Sequence, residues 1–251
     1  MFAGLQAGRF DYAGEPFTFW HHAHDPSARG CIIEIIERDE YRLSRFHGVE
    51  GAVFLDIGAN NGLVSMILGK RNPQSHVIAV EPIRELCTQL ERNLVANAIT
   101  NVTVLNKALH SDDLGTTLHL AGACSGASST LVDDRRAFDR LQRALDERAV
   151  DTITFDTLIR RYVPDRRVHL MKIDCEGGEY HLPASTEFAR LHLDYLEGEF
   201  HETAYGGSQT GAAAALFEHC QRVVTEEMCV TVLTFDEEPH TDRWTHVAAA
   251  V

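Results

Sequence analysis

A chain of 251 residues, 44% hydrophobic and 24% charged, is long enough for one α/β domain with a full core and some attachments, which argues against two independent domains. Its 37 acidic residues against 23 basic ones leave a formal charge of −14, which repels polyanions, so neither nucleic acid nor an anionic membrane surface is expected as a partner. No apolar run approaches the roughly 20 residues that span a bilayer, and "MFAGLQAGRFDYAGEP" lacks the basic end and apolar stretch of a signal peptide, so a cytoplasmic location is expected.

In chain order, "GRFDYAGEPFTFW" alternates Phe10 and Tyr12, turns at Gly14 to Pro16, and alternates again at Phe17 and Phe19, which predicts a hairpin. In "ARGCIIEIIERDEYRLSRF", Ile32, Ile35, Ile36, Leu43 and Phe46 stand near helical spacing. Residues 1–50 are therefore expected to cap a domain formed by residues 51–251. From residue 51 strands and helices alternate: "AVFLDIG", "GLVSMILGKRN", "HVIAVEP", "IRELCTQLERNLVANAI" and "VTVLNKAL". That is the rhythm of a parallel sheet with right-handed crossovers.

An insertion over about 110–150 interrupts it with a strand "TTLHLA", a small-residue loop "GACSGASS" and a helix "RRAFDRLQRALDER", the makings of a lid. The rhythm resumes with "TITFDTLIRRY", the strand "VHLMKID", a helix around "GGEYHLPASTEFARL" and the strand "LDYLEGEF". A glycine-rich loop "AYGGSQTG", a helix "AAAALFEHCQRV" and the strand material "EEMCVTVLTFDEE" close the chain. The six cysteines, Cys31, Cys87, Cys124, Cys175, Cys220 and Cys229, form no C-x-x-C pair, so reduced structural thiols are expected.

The chemistry concentrates in the turn "DIGANNG". A strand, a glycine turn and a helix N-terminus expose backbone N–H groups to a ligand. A pyrophosphate needs a middle glycine for close backbone approach, and Asn60 stands at that place, so a nicotinamide dinucleotide is poorly provided for. A cofactor joining adenosine to an amino acid needs one close approach, at Gly58, and polar groups for its zwitterionic end. S-adenosylmethionine fits. Glu81 ends the next strand about 20 residues on, where an acidic side chain accepts hydrogen bonds from ribose hydroxyls. The expected cofactor residues are Asp56, Gly58, Ala59, Asn60, Asn61, Gly62, Glu81, Pro82, Ala108 and Asp174.

The ordered set "VFLDIGANNG", "VIAVEP", "NVTVLNKAL", "DTITFDTLI" and "LMKIDCEGGE", across roughly residues 30 to 200, resembles the FkbM family of class I S-adenosylmethionine-dependent methyltransferases. The resemblance implies a Rossmann-like, doubly wound, seven-stranded and mostly parallel sheet, with methyl transfer to a hydroxyl of a small molecule such as a polyketide or sugar. At the third strand, where the wider class often carries an acidic residue for adenine, this chain has Asn106 and Lys107. Adenine recognition is then expected from backbone around Ala108. The N-terminal hairpin and the C-terminal third fall outside the resemblance and are expected to determine the acceptor.

Ligands of open α/β sheets bind beyond the carboxyl ends of the strands at the switch point, which brings Asp174, Glu176, Glu199 and His201 beside the turn. His201 is expected to act as general base, titrating near neutrality, with Asp174 and Glu199 in the same catalytic group. Two other readings stay open: helix capping by Asp174, Glu176 and Glu179, and a divalent metal held by Asp174, Glu199 and His201. In "WHHAHDP" only His22 and His24 could share a ligand, because neighbours in an extended segment point to opposite faces. His21, His22 and His24 read better as surface groups, and Phe10, Tyr12, Phe17, Phe19 and Trp20 as core of the cap. Alternatives at the level of function are a nicotinamide-dependent oxidoreductase and a non-catalytic cofactor-binding scaffold.

Overall fold

Residues 5–22 alternate aromatic and polar side chains about a tight turn, and in the computed structural model they pair as an antiparallel hairpin, β1 (Leu5–Tyr12) with β2 (Glu15–His22). The structure describes residues 4–23, 30–121, 145–201, 212–235 and 242–250. Ala13 and Gly14 both take positive φ, 50° and 83°, the combination of a type I′ turn. The turn is therefore one step earlier than expected, and Pro16 lies in β2 opposite Asp11.

The next segment departs from the expected helix. Ile32–Glu37 is π-helical and Leu43–Arg45 is a 3-10 turn, separated by Asp39 and Arg42 in left-handed conformation. Arg42 secures this segment to the sheet through a two-pronged bond to the buried Glu197, at 2.6 and 3.2 Å, and an ion pair to Glu227.

The central sheet holds β3 (Val53–Ile57), β4 (His76–Val80), β5 (Val102–Leu105), β10 (Arg167–Ile173), β11 (His192–His201), β12 (Val224–Phe235) and β13 (Asp242–Ala250). Their order is β13-β12-β11-β10-β3-β4-β5; β13 alone is antiparallel to its neighbour. The first crossovers are α1 (Leu63–Arg71) and α2 (Arg84–Ala96), and those of the other half include α3 (Phe155–Tyr162) and α4 (Ala212–Gln221). The chain runs outward through β3, β4 and β5, then returns to place β10 against the other side of β3. That reversal makes the switch point.

Strands covered on both faces need apolar residues at nearly every position, which "VFLDI" and "HVIAV" supply. Their alternate residues divide between two cores. Leu55, Ile57, Ile78 and Val80 join Phe155, Leu158, Phe188 and Leu216 on one face. Phe54, Val77 and Ala79 join Met66, Ile67 and Leu90 on the other, where the hairpin adds Tyr12, Phe17 and Phe19. These aromatics are core, as expected. Side-chain amides in α2 and at its C-cap satisfy the hairpin's free edge: Asn93 accepts from Trp20 N–H (2.7 Å) and donates to its carbonyl (3.2 Å), and the C-cap Asn97 treats Thr18 likewise (2.9 and 2.7 Å).

Two short ladders flank the sheet, β6 (Ala108–Leu109) with β9 (Thr152–Ile153), and β7 (Thr116–Ala121) antiparallel to β8 (Leu145–Val150). The β8 strand corrects the helix expected over residues 135–148, whose last four residues pair with β7; residues 122–144, with the small-residue loop, lie outside the described residues. So does the loop 204–211. The helix expected after "VHLMKID" is two 3-10 segments, Gly178–Ala184 and Phe188–Arg190. Two glycines at its start and Pro183, which has no N–H to donate, disfavour a continuous α-helix. Among the described residues no helix is long and apolar enough to cross a membrane.

Candidate functional site

At the switch point the ends of β3 and β10 press together. A Cβ on Gly58 would stand 1.7 Å from the carbonyl oxygen of Asp174, and Gly58 has φ +78°, so both space and backbone demand glycine. The N–H groups of Gly58 and Ala59 donate to Val80 O, each at 3.0 Å, which folds the turn back over β4. Lys172 Nζ donates to Gly58 O at 2.8 Å from below. Helix α1 then begins at Leu63, behind Gly62.

Glu81 supports this turn. Its Oε2 accepts from Asn60 N–H at 2.9 Å and its Oε1 from Ile83 N–H at 2.8 Å. Burial raises its pKa to about 7 in spite of those two donors. Asn106 Nδ2 donates to the carbonyls of Glu81 and Pro82 at 3.0 and 2.8 Å, fixing the strand end. Gly58, Asn60, Pro82 and Asn106 are half-buried and form the accessible rim, while Ala59, Asn61 and Gly62 are buried behind it.

One expected cofactor residue is corrected. Asp56 is fully buried, accepts from Ser65 Oγ at 2.5 Å and faces Lys172 at 3.8 Å, so it anchors the start of α1 and has no surface to offer a ligand. The N–H of Ala108, near which the backbone is expected to meet adenine, is donated to Asp151 O at 2.9 Å next to the ladder with β9. The donor set nevertheless fits a phosphate-free nucleoside ligand: a glycine cradle, an acidic group at the end of β4, and the buried amide Asn61 Nδ2, without a partner among the described residues. With Asn60 in place of the middle glycine, the turn lacks the pyrophosphate approach.

Beside the turn, β10 and β11 deliver the expected acceptor-side residues to one place. His201 Nε2 lies 3.7 Å from Asp174 Oδ1, 3.6 Å from Glu176 Oε2 and 3.6 Å from Glu199 Oε2. Its Nδ1 faces Glu179 Oε1 at 3.1 Å, and the same oxygen accepts the His201 backbone N–H at 2.8 Å. Glu176 takes φ +52° ahead of Gly177 at +106°, which turns the chain sharply at this point.

The electrostatics follow from this crowding. Burial works against the imidazolium of His201, but Glu176, Glu179 and Asp174 outweigh it and hold its pKa well above the usual histidine value. The expectation that His201 titrates near neutrality is therefore corrected: three carboxylates keep its proton. Burial raises Glu176 to about 7 against the pull of His201, and burial together with Asp174 raises Glu199. Asp174 goes the other way, because Lys172, His201 and the Tyr41 hydroxyl overcome its burial. The capping reading is not what the structure gives for Asp174, since the 3-10 segment at Gly178 has no side-chain cap and Asp174 instead accepts from Tyr41 at 3.1 Å. Glu179, which also accepts from Gly177 N–H at 2.8 Å, combines a helix-start bond with its hold on His201.

Sequence reasoning missed Tyr41 and Lys172. Lys172 lies 3.4 Å from Asp174, with its Nζ 5.2 Å from the centre of the Tyr41 ring. A lysine inside the apolar run "VHLMKI" was a usable signal; nothing local marked Tyr41. His21 stacks near Phe19, at 5.7 Å between ring centres, and bonds locally at 3.1 Å to His22 O, while His24 lies outside the described residues. Cys87, Cys175, Cys220 and Cys229 are free thiols, and Cys124 lies outside the described residues.

Comparison with known proteins places these features in a family. Residues 56–235 match the "Methyltransferase FkbM domain". The methyltransferase sdnD of Sordaria araneosa is 28% identical over 146 residues, covering 50% of this chain and 56% of that protein. Methyltransferase 1 of Beauveria bassiana (strain ARSEF 2860) is 23% identical over 140 residues, covering 52% and 56%. The chain thus matches little more than half the length of either relative. Among solved structures, a 16S rRNA N2 G1207 methyltransferase of T. thermophilus in complex with AdoMet and guanosine is similar with a TM-score of 0.42 and 16% identity, over 92% of this chain and 42% of that one. A precorrin-6y C5,15-methyltransferase of Geobacter metallireducens has a TM-score of 0.38 and 15% identity, over 84% of both chains.

Proposed function

The chain belongs to the FkbM methyltransferase family, and from that premise we propose that it is an S-adenosylmethionine-dependent O-methyltransferase acting on a hydroxyl of a small molecule of polyketide or sugar type, in the cytoplasm. The observation that carries this reading is the junction at Gly58, where the cofactor turn touches Asp174 and the carboxylate–histidine cluster begins. A methyl donor at the turn would lie beside the groups that can hold an alcohol and take its proton. The net charge of −14 supports a small acceptor over nucleic acid.

S-adenosylmethionine supplies an electrophilic methyl group on a sulfonium sulfur, which leaves as a neutral thioether. The chain's part is to bind, align and deprotonate. Glu81, Asn60 and Asn61 would hold the nucleoside end, and the rim at Gly58 and Pro82 would shape the cradle. Asp174, fixed by Tyr41 and Lys172, accepts the hydrogen bond that orients the acceptor hydroxyl. As the oxygen lone pair forms its new bond to carbon, the hydroxyl proton passes to Asp174, which Lys172, His201 and Tyr41 keep ionised, while burial and Asp174 push Glu199 beside His201 up to about 9 and keep it protonated. His201, whose other ring nitrogen faces Glu179, is held in orientation between the carboxylates. Alignment and base assistance are the two contributions such a displacement asks of a protein.

The test is a mass-spectrometric screen of hydroxylated polyketides and sugars with methyl-labelled cofactor. Label on an acceptor oxygen supports the reading, and Asp174→Asn should lower that turnover by about 10² to 10⁴. Label on nitrogen or carbon, or full turnover by Asp174→Asn, would overturn it.

A further inference from the structure

We propose that Asp174, Glu176 and His201 bind one divalent transition-metal cation, with Mn²⁺ as its probe, and that the acceptor hydroxyl occupies an open position on that ion. The last clause rests on the methyl-transfer reading; the metal site itself stands on geometry.

Among the described residues, one carboxylate oxygen each from Asp174 and Glu176 and one ring nitrogen of His201 all lie within 4.8 Å of one another. The distances do not describe an ordinary ion pair. A charge-assisted bond from an imidazolium closes to about 2.7–2.9 Å, whereas His201 Nε2 stands 3.6–3.7 Å from each of three carboxylates and favours none. Ligands on a common ion with bonds of about 2.1 Å are separated by about 3.0–3.4 Å, so small inward shifts would complete a shell.

A second observation points the same way. The His201 side chain is only 5% exposed, and its Nδ1 is committed to Glu179, itself fully buried. A histidine that ligates a metal through one nitrogen has its other nitrogen held by a carboxylate in this manner, which fixes ring and tautomer. Nε2 is thereby aimed into the cluster. Charge adds a third reason: Asp174 and Glu176 bring two negative charges, which a divalent ion balances when it takes the place of the proton on His201 Nε2. Two oxygens and one imidazole nitrogen suit Mn²⁺, Fe²⁺, Co²⁺ or Zn²⁺ better than Ca²⁺, which takes oxygen ligands.

The experiment titrates the purified full chain, stripped with EDTA and desalted, with Mn²⁺, following loss of the free-ion signal by electron paramagnetic resonance. One ion per chain is expected. Glu176→Gln and His201→Gln should each weaken binding at least tenfold, and Glu179→Gln by 10- to 100-fold; circular dichroism melts identify any variant that fails to fold, and Glu176→Gln, at a partly exposed side chain, is the arm that decides. Absence of stoichiometric Mn²⁺ and Zn²⁺ binding, or binding unchanged in Glu176→Gln, overturns the proposal. Cofactor calorimetry on the same samples separates it from the functional reading: cofactor binding without metal binding sinks the metal site alone, and metal binding without cofactor binding sinks the methyl-transfer reading alone.

Discussion

Glu179 holds His201 at two points with one oxygen, the backbone N–H at 2.8 Å and the ring Nδ1 at 3.1 Å. The pair ties the 3-10 segment after β10 to the last residue of β11, so the geometry of the cluster depends on it. Glu179→Ala would leave a buried imidazolium and two N–H groups without their acceptor and should cost about 3 to 5 kcal/mol, read from urea unfolding. Glu179→Gln keeps an acceptor oxygen and should cost clearly less. Equal losses in the two variants would show that the charge, and not the acceptor geometry, carries the link.

Gly58 sets the distance between the cofactor turn and Asp174. Gly58→Ala places a methyl carbon where only 1.7 Å is free and imposes a strained φ of +78°. The strain alone is of order 1 to 3 kcal/mol, and the clash must move Asp174 or the turn. Calorimetry should find cofactor affinity reduced more than tenfold, with a lowered melting temperature. A folded variant with unchanged affinity would detach the turn from the cofactor.

The pH dependence of cofactor binding has a definite sign. Burial raises Glu81 to about 7; since its folded value exceeds its ordinary one, it favours the ligand-free fold at low pH and that contribution is lost as pH rises through about 7. Ribose hydroxyls donate to the ionised carboxylate, so binding favours the deprotonated form and affinity should rise with pH up to about 7, by as much as about tenfold per unit below it. Calorimetry from acid to neutral pH on the wild type and Glu81→Gln checks this. A flat wild-type profile, or the same slope in the variant, would contradict it.

Much of the sheet and turn was legible because the signals were local. "VFLDI" and "HVIAV" carry doubly buried strands in their composition, and Gly58 and Glu81 follow from the turn that joins such strands to helices. The convergence of Asp174, Glu176, Glu199 and His201 followed from strand order alone. What escaped depends on contacts distant in sequence. Tyr41 reaches Asp174 from a segment 133 positions away, and the titration of His201 is set by Asp174, Glu176 and Glu179, more than 20 positions before it. Leu145–Arg148 had helical composition, yet pairing with β7 made them a strand, a case of tertiary contacts overriding propensity.

Asp156 provides an acid-sensitive link elsewhere. It accepts from Glu187 N–H at 3.0 Å, Thr186 Oγ1 at 2.8 Å and the Ser185 hydroxyl, and pairs with Arg160 at 2.8 Å. Burial opposes its charge, but Ser185, Glu187, Thr186 and Arg160 lower its pKa. A lowered carboxylate stabilises the fold above its ordinary value, near 3.9, and loses that contribution as pH falls through the folded value. Acid unfolding followed by circular dichroism should therefore show a shallower dependence below about pH 4 in Asp156→Asn than in the wild type. Superimposable acid profiles would remove Asp156 from the account.

The most direct test of the central claim is isothermal calorimetry of the purified chain with S-adenosylmethionine, with NAD as the comparison ligand. Tight, one-to-one binding of the sulfonium cofactor, weakened at least tenfold by Glu81→Ala through the loss of hydrogen bonds worth about 1.5 to 3 kcal/mol, is the result predicted, with NAD weak or silent. Binding of NAD with no heat from S-adenosylmethionine would contradict it.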